Sequence, residues 1–315
     1  MYKVGVDLGG TNISVGVVDE KYNIVAKASI PTNAGRPAEE IFDDITTAVK
    51  MAVENGKLSM DEIESVGIGT PGSVNKSNGY IEFANNLAFN NVPAKEMLEE
   101  RLNKPVYLDN DANCAALGEQ VAGVGNGVKD FIAVTLGTGV GGGIIVNGEI
   151  LNGINGAAAE VGHMVIDVDG IQCNCGRKGC WEKYASATAL ISQTKEAMKN
   201  NPESIMWKIV DGNIDAVNGR TSFDAMREGD KVAKEVVDQY VKYVSVGISN
   251  LINIFQPEII CVGGGISNEG DNLLNPVREF ISGEVYTKYS DKQTKVLKAQ
   301  LGNYAGIIGS ALLKY

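Results

Sequence analysis

Apolar positions along the chain fall into short runs that stop at glycine turns, separated by stretches with helical periodicity. Val4–Leu8 is a β-rich run ending in Gly9-Gly10-Thr11-Asn12, and Ile13–Val18 follows as a return strand. This predicts a hairpin closed by a glycine turn. The same pattern recurs 128 positions later, where Ile132–Leu136 runs into Gly137-Thr138-Gly139 and Gly143–Val146 returns. Val6, Leu8, Gly9 and Val18 are matched there by Val134, Leu136, Gly137 and Val146. Two copies are too few for a solenoid. They predict a duplicated α/β domain with a cleft between the copies.

Helix and strand alternate between and after the copies. Ile41, Ile45, Val49 and Val53 form an apolar stripe on a helix with Pro37 at its first position and Gly56 past its end. Ser65–Gly69 reads as a buried strand stopped by Thr70-Pro71-Gly72. Ala94–Leu102 is helical, Val106–Leu108 is a strand, and Ala112–Val121 is a helix. Lys231–Phe255 is a long helix with Val236, Val237, Tyr240, Val244, Ile248 and Leu251 on one side. Strand Ile259–Val262 runs into Gly263-Gly264-Gly265, and Ala305–Lys314 closes the chain as a small apolar helix. The expected division is a small domain of 1–115 plus 301–315 and a large domain of 116–300.

Composition narrows the classes. The 315 residues suffice for two domains with full cores. Net charge of −11 disfavours binding to nucleic acid. Phe131–Gly148 has 18 residues without a charge, the length of a membrane span, but six of them are Gly. Each Gly costs a helix about 1 kcal/mol, so no span is expected there. The start MYKVGVDLGG has no signal-peptide pattern. The expectation is a soluble cytoplasmic protein that binds neither membrane nor nucleic acid. The 38 glycines are an excess, read here as tight turns where backbone approaches a ligand.

Three features carry chemistry. The glycine turns can present backbone N–H groups and a Thr hydroxyl to phosphates, or can be ordinary hairpin turns. Thr in both copies favours the phosphate reading, with Gly263–Gly265 as a third approach point. No Walker-type loop is present. Asp109-Asn110-Asp111 ends a strand where α/β proteins bind ligands. Asp111 is either the N-cap of the following helix or a general base, and both can hold together. Finally, His163, Cys173, Cys175 and Cys180 have the composition of a closed, structural zinc site, whereas Cys114 and Cys261 stand alone as buried thiols. Glu160 and Glu182 flank that cluster. They suit the hydroxyls of a sugar, or are solvated charges.

Asp7-Leu-Gly-Gly-Thr11 resembles the phosphate-1 motif of the sugar kinase/actin-like ATPase superfamily, Leu136–Gly139 its phosphate-2 motif, and Gly263–Gly265 its adenosine motif. GAAAEVGHM followed by CNCGRKGCWE is similar to the signature of the ROK family of repressors and sugar kinases. The resemblance spans Val4 to Leu313. It implies a duplicated actin-like, ribonuclease H-like ATPase fold of two domains with an active-site cleft between them. It also implies an ATP- and Mg²⁺-dependent hexose kinase acting on a 6-hydroxyl, with glucose the first choice. Asp111, in the motif NDAN, corresponds to the family's base. Asn86, Asn110, Asp111, Glu160, His163 and Glu182 correspond to its sugar ligands, and His163, Cys173, Cys175 and Cys180 to its zinc ligands. Phosphate and nucleotide contacts fall on Asp7, Gly9, Gly10, Thr11, Asn12, Gly137, Thr138, Gly139, Gly264 and Gly265, with Asp7 holding Mg²⁺ through water. The family often has Gly where this chain has Ala159. The resemblance further implies a homo-oligomer, dimer or tetramer. ROK repressors carry an N-terminal DNA-binding domain, whereas this chain opens on its first strand. The alternatives are a kinase for N-acetylmannosamine, mannose or fructose, a polyphosphate-dependent kinase, a non-catalytic sugar sensor, and an actin-like filament or chaperone ATPase.

Overall fold

The computed structural model describes residues 1–314. Contacts group the chain into two units: Met1–Ala133, Gly143–Ala159 and the segment from Gln300 on form the first, and Val134–Gly142 with Glu160–Ala299 the second.

The chain opens with β1 (Tyr2–Leu8), β2 (Asn12–Val18), β3 (Ile24–Pro31) and helix α1 (Ala38–Asn55). β4 (Ile63–Thr70), β5 (Ser73–Asn75), β6 (Tyr80–Ala84), β7 (Phe89–Val92), α2 (Ala94–Leu102), β8 (Val106–Asn110) and α3 (Asp111–Ala122) follow. Next come β9 (Phe131–Leu136), β10 (Val140–Val146), β11 (Glu149–Ile150), α4 (Glu182–Ala185), α5 (Ala187–Asn200), α6 (Met206–Ile209), α7 (Thr221–Arg227) and α8 (Lys231–Phe255). The chain ends with β12 (Ile259–Gly263), α9 (Asp271–Glu284), β13 (Lys295–Lys298) and α10 (Ala305–Ala311).

One sheet has the order β3-β2-β1-β4-β8 and another β11-β10-β9-β12-β13. The two orders correspond strand for strand. In the first, β1 pairs antiparallel with β2, with Val6 opposite Val15 and Leu8 opposite Ile13, and parallel with β4. In the second, β10 and β11 are antiparallel and β12 and β13 parallel. The sequence repeat is therefore a repeat of topology. β5, β6 and β7 form a further small sheet that apolar patterning does not reveal, because its strands are too short to carry a period. The charge-free stretch Phe131–Gly148 contributes the β9–β10 strands, and no described helix is long and apolar enough to cross a membrane.

The helix expectations for Ala94–Leu102 and Lys231–Phe255 match α2 and α8. α8 buries the apolar side that its sequence marks, and α1 likewise buries Ile41, Ile45, Val49 and Val53. Three other helices differ at their ends. Pro37 is the N-cap of α1 rather than its first residue, α3 runs from Asp111 to Ala122 rather than from Ala112 to Val121, and α10 ends at Ala311 rather than Lys314. The expected domain boundary after 115 falls inside α3, which packs heavily on α10 in the first unit.

Many glycines serve this packing rather than turns. A Cβ at Gly5 would lie 1.8 Å from the Ile307 carbonyl oxygen, and one at Gly67 only 1.7 Å from that of Ser310. α10 thus lies directly on the backbone of β1 and β4. At the α3–α10 crossing, Gly309 meets the Cys114 carbonyl in the same way.

Candidate active site

In the first unit, the turn Gly9–Asn12 is closed by the Gly9 N–H donating to Asn12 O at 2.9 Å. Thr32, fully buried at the end of β3, clamps it twice: its Oγ1 donates to Gly9 O at 2.6 Å and its N–H to Thr11 O at 2.9 Å. Gly10, Thr11 and Asn12 are exposed. Asn86, in a short 3₁₀ turn, is adjacent, since a Cβ on Gly10 would lie 3.9 Å from the Asn86 Cβ. Asp7, on β1 beside this turn, has its carboxyl pushed up by burial, the direction a nearby cation would oppose.

β8 delivers Asp109-Asn110-Asp111. Asn110, not Asp111, is the N-cap of α3: its Oδ1 accepts from Ala112 N–H at 2.8 Å and Asn113 N–H at 3.3 Å. This corrects the capping alternative for Asp111. Extended backbone at Asn110 (φ −62°, ψ 145°) aims its side chain back over the first turn. Asn110 Nδ2 also donates to Gly72 O at 3.0 Å, leaving one amide hydrogen for a ligand. Asp111 is the first residue of α3, half-buried, with Oδ1 accepting from Ala112 N–H at 2.9 Å. Asp109 is buried. It accepts from Asn113 Nδ2 at 3.0 Å and forms an ion pair with Lys76.

In the second unit, Gly137 N–H donates to Gly139 O at 3.0 Å. The start of α5 clamps this turn: Ala187 N–H donates to Gly137 O, and Thr188 Oγ1 to Thr138 O, both at 2.8 Å. A threonine hydroxyl on a turn carbonyl thus secures both turns. Gly264 has φ +82°, and a Cβ there would lie 2.5 Å from Leu136 O, so the adenosine-like turn abuts the end of β9. Glu160 is exposed and opens a 3₁₀ turn that ends at His163. Half-buried Glu182 opens α4, with Oε2 accepting from Val140 N–H at 3.4 Å and Oε1 lying 3.6 Å from Cys173 Sγ.

His163, Cys173, Cys175 and Cys180 converge, with one ligand atom from each lying within 4.8 Å of the others. His163 Nδ1 is 3.7 Å from Cys173 Sγ, and Cys175 Sγ is 3.5 Å from Cys180 Sγ. That is far beyond a disulfide bond and close to the edge of a sulfur tetrahedron around zinc. The donor set therefore fits Zn²⁺. Burial pushes the Cys180 thiol up to about 12, while a backbone hydrogen bond from Arg177 lowers Cys175. Cys114 and Cys261 are buried and free of disulfides.

Lys76, Thr32 and Thr188 are site-supporting residues that the sequence alone does not signal. Lys76 sits among Asn75, Ser77 and Asn78, a stretch that reads as a solvated turn. Ala159 is the reverse case, visible in sequence and explained by geometry. Its φ is +66°, in the left-handed region where an L side chain is strained. We expect Ala159→Gly to raise stability by about 1 kcal/mol in urea unfolding, because glycine relieves that strain.

Matching five-strand sheets, each following its first strand with a clamped glycine turn, define the duplicated two-domain fold of actin-like ATPases. The sequence profile of the ROK family matches residues 3–315, and the chain belongs to that family. It is 39% identical over 314 residues to a glucokinase of Streptomyces coelicolor, spanning 98% of this chain and 96% of the relative. A glucokinase of Thermotoga maritima is 38% identical over 309 residues, spanning 98% and 95%. A ROK family glucokinase from Streptomyces griseus, solved in complex with glucose and AMPPNP, is similar at 38% identity with a TM-score of 0.83, covering 99% and 98% of the two chains.

Proposed function

We propose that this chain is an ATP-dependent glucokinase, transferring the γ-phosphoryl group of MgATP to the 6-hydroxyl of glucose. The observation that carries this reading is the near-full-length identity to glucokinases, at 39% and 38%. Asp111 takes the proton of the 6-hydroxyl as its oxygen attacks phosphorus in line. Its place in the first turn of α3, where a helix end favours negative charge, suits that role. Asn86, Asn110, Glu160, His163 and Glu182 bind the sugar hydroxyls. Backbone N–H groups of Gly9–Asn12 and Gly137–Gly139 position the phosphates, Gly264 and Gly265 approach the adenosine, and Asp7 would hold the Mg²⁺ that offsets their charge. Phosphoryl transfer needs positioning and charge stabilisation more than covalent help, and these groups supply both. His163, Cys173, Cys175 and Cys180 would hold zinc, which would cross-link their loop. With Nδ1 toward the thiols, His163 keeps Nε2 for a sugar hydroxyl.

A second reading keeps the chemistry and changes the sugar to N-acetylmannosamine, mannose or fructose. It rests on Ala159, whose strained backbone and extra methyl directly precede Glu160. ADP release across a panel of hexoses and amino sugars decides. Glucose is expected to give the highest kcat/KM, and a sugar lacking one hydrogen-bonded hydroxyl is expected to fall by ~10⁴-fold. A higher kcat/KM for N-acetylmannosamine or fructose overturns the glucose assignment and leaves the kinase. No ADP release with any sugar favours a non-catalytic sensor.

A further inference from the structure

The two glycines that bracket the second turn are not equivalent. A Cβ at Gly137 would meet nothing within 4 Å, as an anion-binding turn requires. A Cβ at Gly139 would lie 2.4 Å from Glu182 Oε2. The space beside Gly139 is therefore filled by a carboxylate, and the N–H that follows it, on Val140, donates to the same oxygen at 3.4 Å. Phosphate approach accounts for the open space at Gly137, whereas the space a side chain would take at Gly139 is the one the Glu182 carboxylate occupies.

The base of Glu182 is fixed. Trp181 before it is fully buried, its Nε1 donates to Tyr243 O at 2.7 Å, and its backbone N–H donates to Met164 O at 2.8 Å. α8 makes room for the indole at Gly247, where a Cβ would lie 2.0 Å from Trp181 Cε2. Only the Glu182 side chain can yield to a group at 139. Gly139 itself lies outside the left-handed region, so no positive φ strains an alanine there.

We propose that Gly139 is a positioning residue for the sugar: by lacking a side chain it leaves the space in which the Glu182 carboxylate is held. This rests on the reading of Glu182 as a sugar ligand. A methyl at 139 has to push the carboxylate aside by roughly 1 Å, a displacement of the size that degrades a site built on precise placement.

The test measures glucose affinity without nucleotide, by calorimetry on the zinc-loaded enzyme, so that no phosphate contact enters. G139A is expected to fold with little change in Tm, because the contact is with a side-chain tip. It is expected to weaken glucose binding about tenfold, the scale of one displaced charged hydrogen bond. E182A alone is expected to weaken glucose binding by at least as much, and in the E182A background G139A adds nothing. If G139A leaves glucose affinity unchanged while E182A lowers it, the positioning role is wrong and the ligand reading stands. An equal loss from G139A with and without Glu182 also overturns the role, as does a G139A chain that fails to fold. Should E182A leave glucose affinity unchanged, the ligand reading and this inference fall together.

Discussion

Asp111→Asn is expected to lower kcat by ~10²–10⁴-fold, with Tm nearly unchanged and glucose still bound. Asparagine has the size of aspartate and can still hydrogen-bond a hydroxyl, but it cannot take its proton. The helix does not confuse the result. Its cap is Asn110, whose side chain holds the Ala112 and Asn113 N–H groups. A capping loss of about 1 kcal/mol therefore belongs to Asn110→Ala. Single-turnover phosphorylation, glucose titration and thermal melts on both variants separate chemistry from capping. An Asp111→Asn enzyme that keeps most of its kcat would falsify the base assignment.

Removing one thiolate from the cysteine cluster is expected to have the second large effect. Cys180→Ala should take zinc from one per chain to near zero by elemental analysis, because a closed site loses most of its affinity with one of four ligands gone. The damage should be local. Besides the cluster, residues 163–180 bond mostly to one another: Ile166 N–H donates to Gly179 O, Gly179 N–H to Ile171 O and Cys173 N–H to Arg177 O, while the Ile171 N–H donating to the Tyr184 hydroxyl and the Trp181 N–H donating to Met164 O tie the segment to its C-terminal neighbours. Trp181, by contrast, is anchored in the core against α8. Limited proteolysis should therefore cut within 163–180 while the rest of the chain stays folded. Glucose binding should weaken through Glu182 and His163. Fully active wild-type enzyme that contains no zinc would remove the metal from this account.

The chemistry of the site is written largely in short-range signals. Four ligand residues within a stretch of 18 must lie near one another if the loop turns at all, so His163, Cys173, Cys175 and Cys180 are legible as a cluster. A strand, a glycine turn and a return strand form a local unit, so both hairpins and their repeat are legible too. Long periodic helices such as α8 follow from one apolar face.

What the sequence left open depends on atoms supplied by distant elements. It determined the duplicated α/β class, the two glycine turns, the grouping of one histidine with three cysteines and the position of Asp111 at a strand end. It did not determine that Asn110 takes the cap, which rests on backbone dihedrals at a single residue. Nor did it show that Lys76 neutralises buried Asp109, since a lysine in a polar turn has no mark of its partner. The glycine excess reads from sequence as ligand-approaching turns. In the fold, Gly5 and Gly67 instead admit α10, which is about 300 and 240 residues further along the chain, and Gly139 admits Glu182. A missing Cβ is visible in sequence, but what fills its place is decided only when close packing brings another backbone or side chain against it.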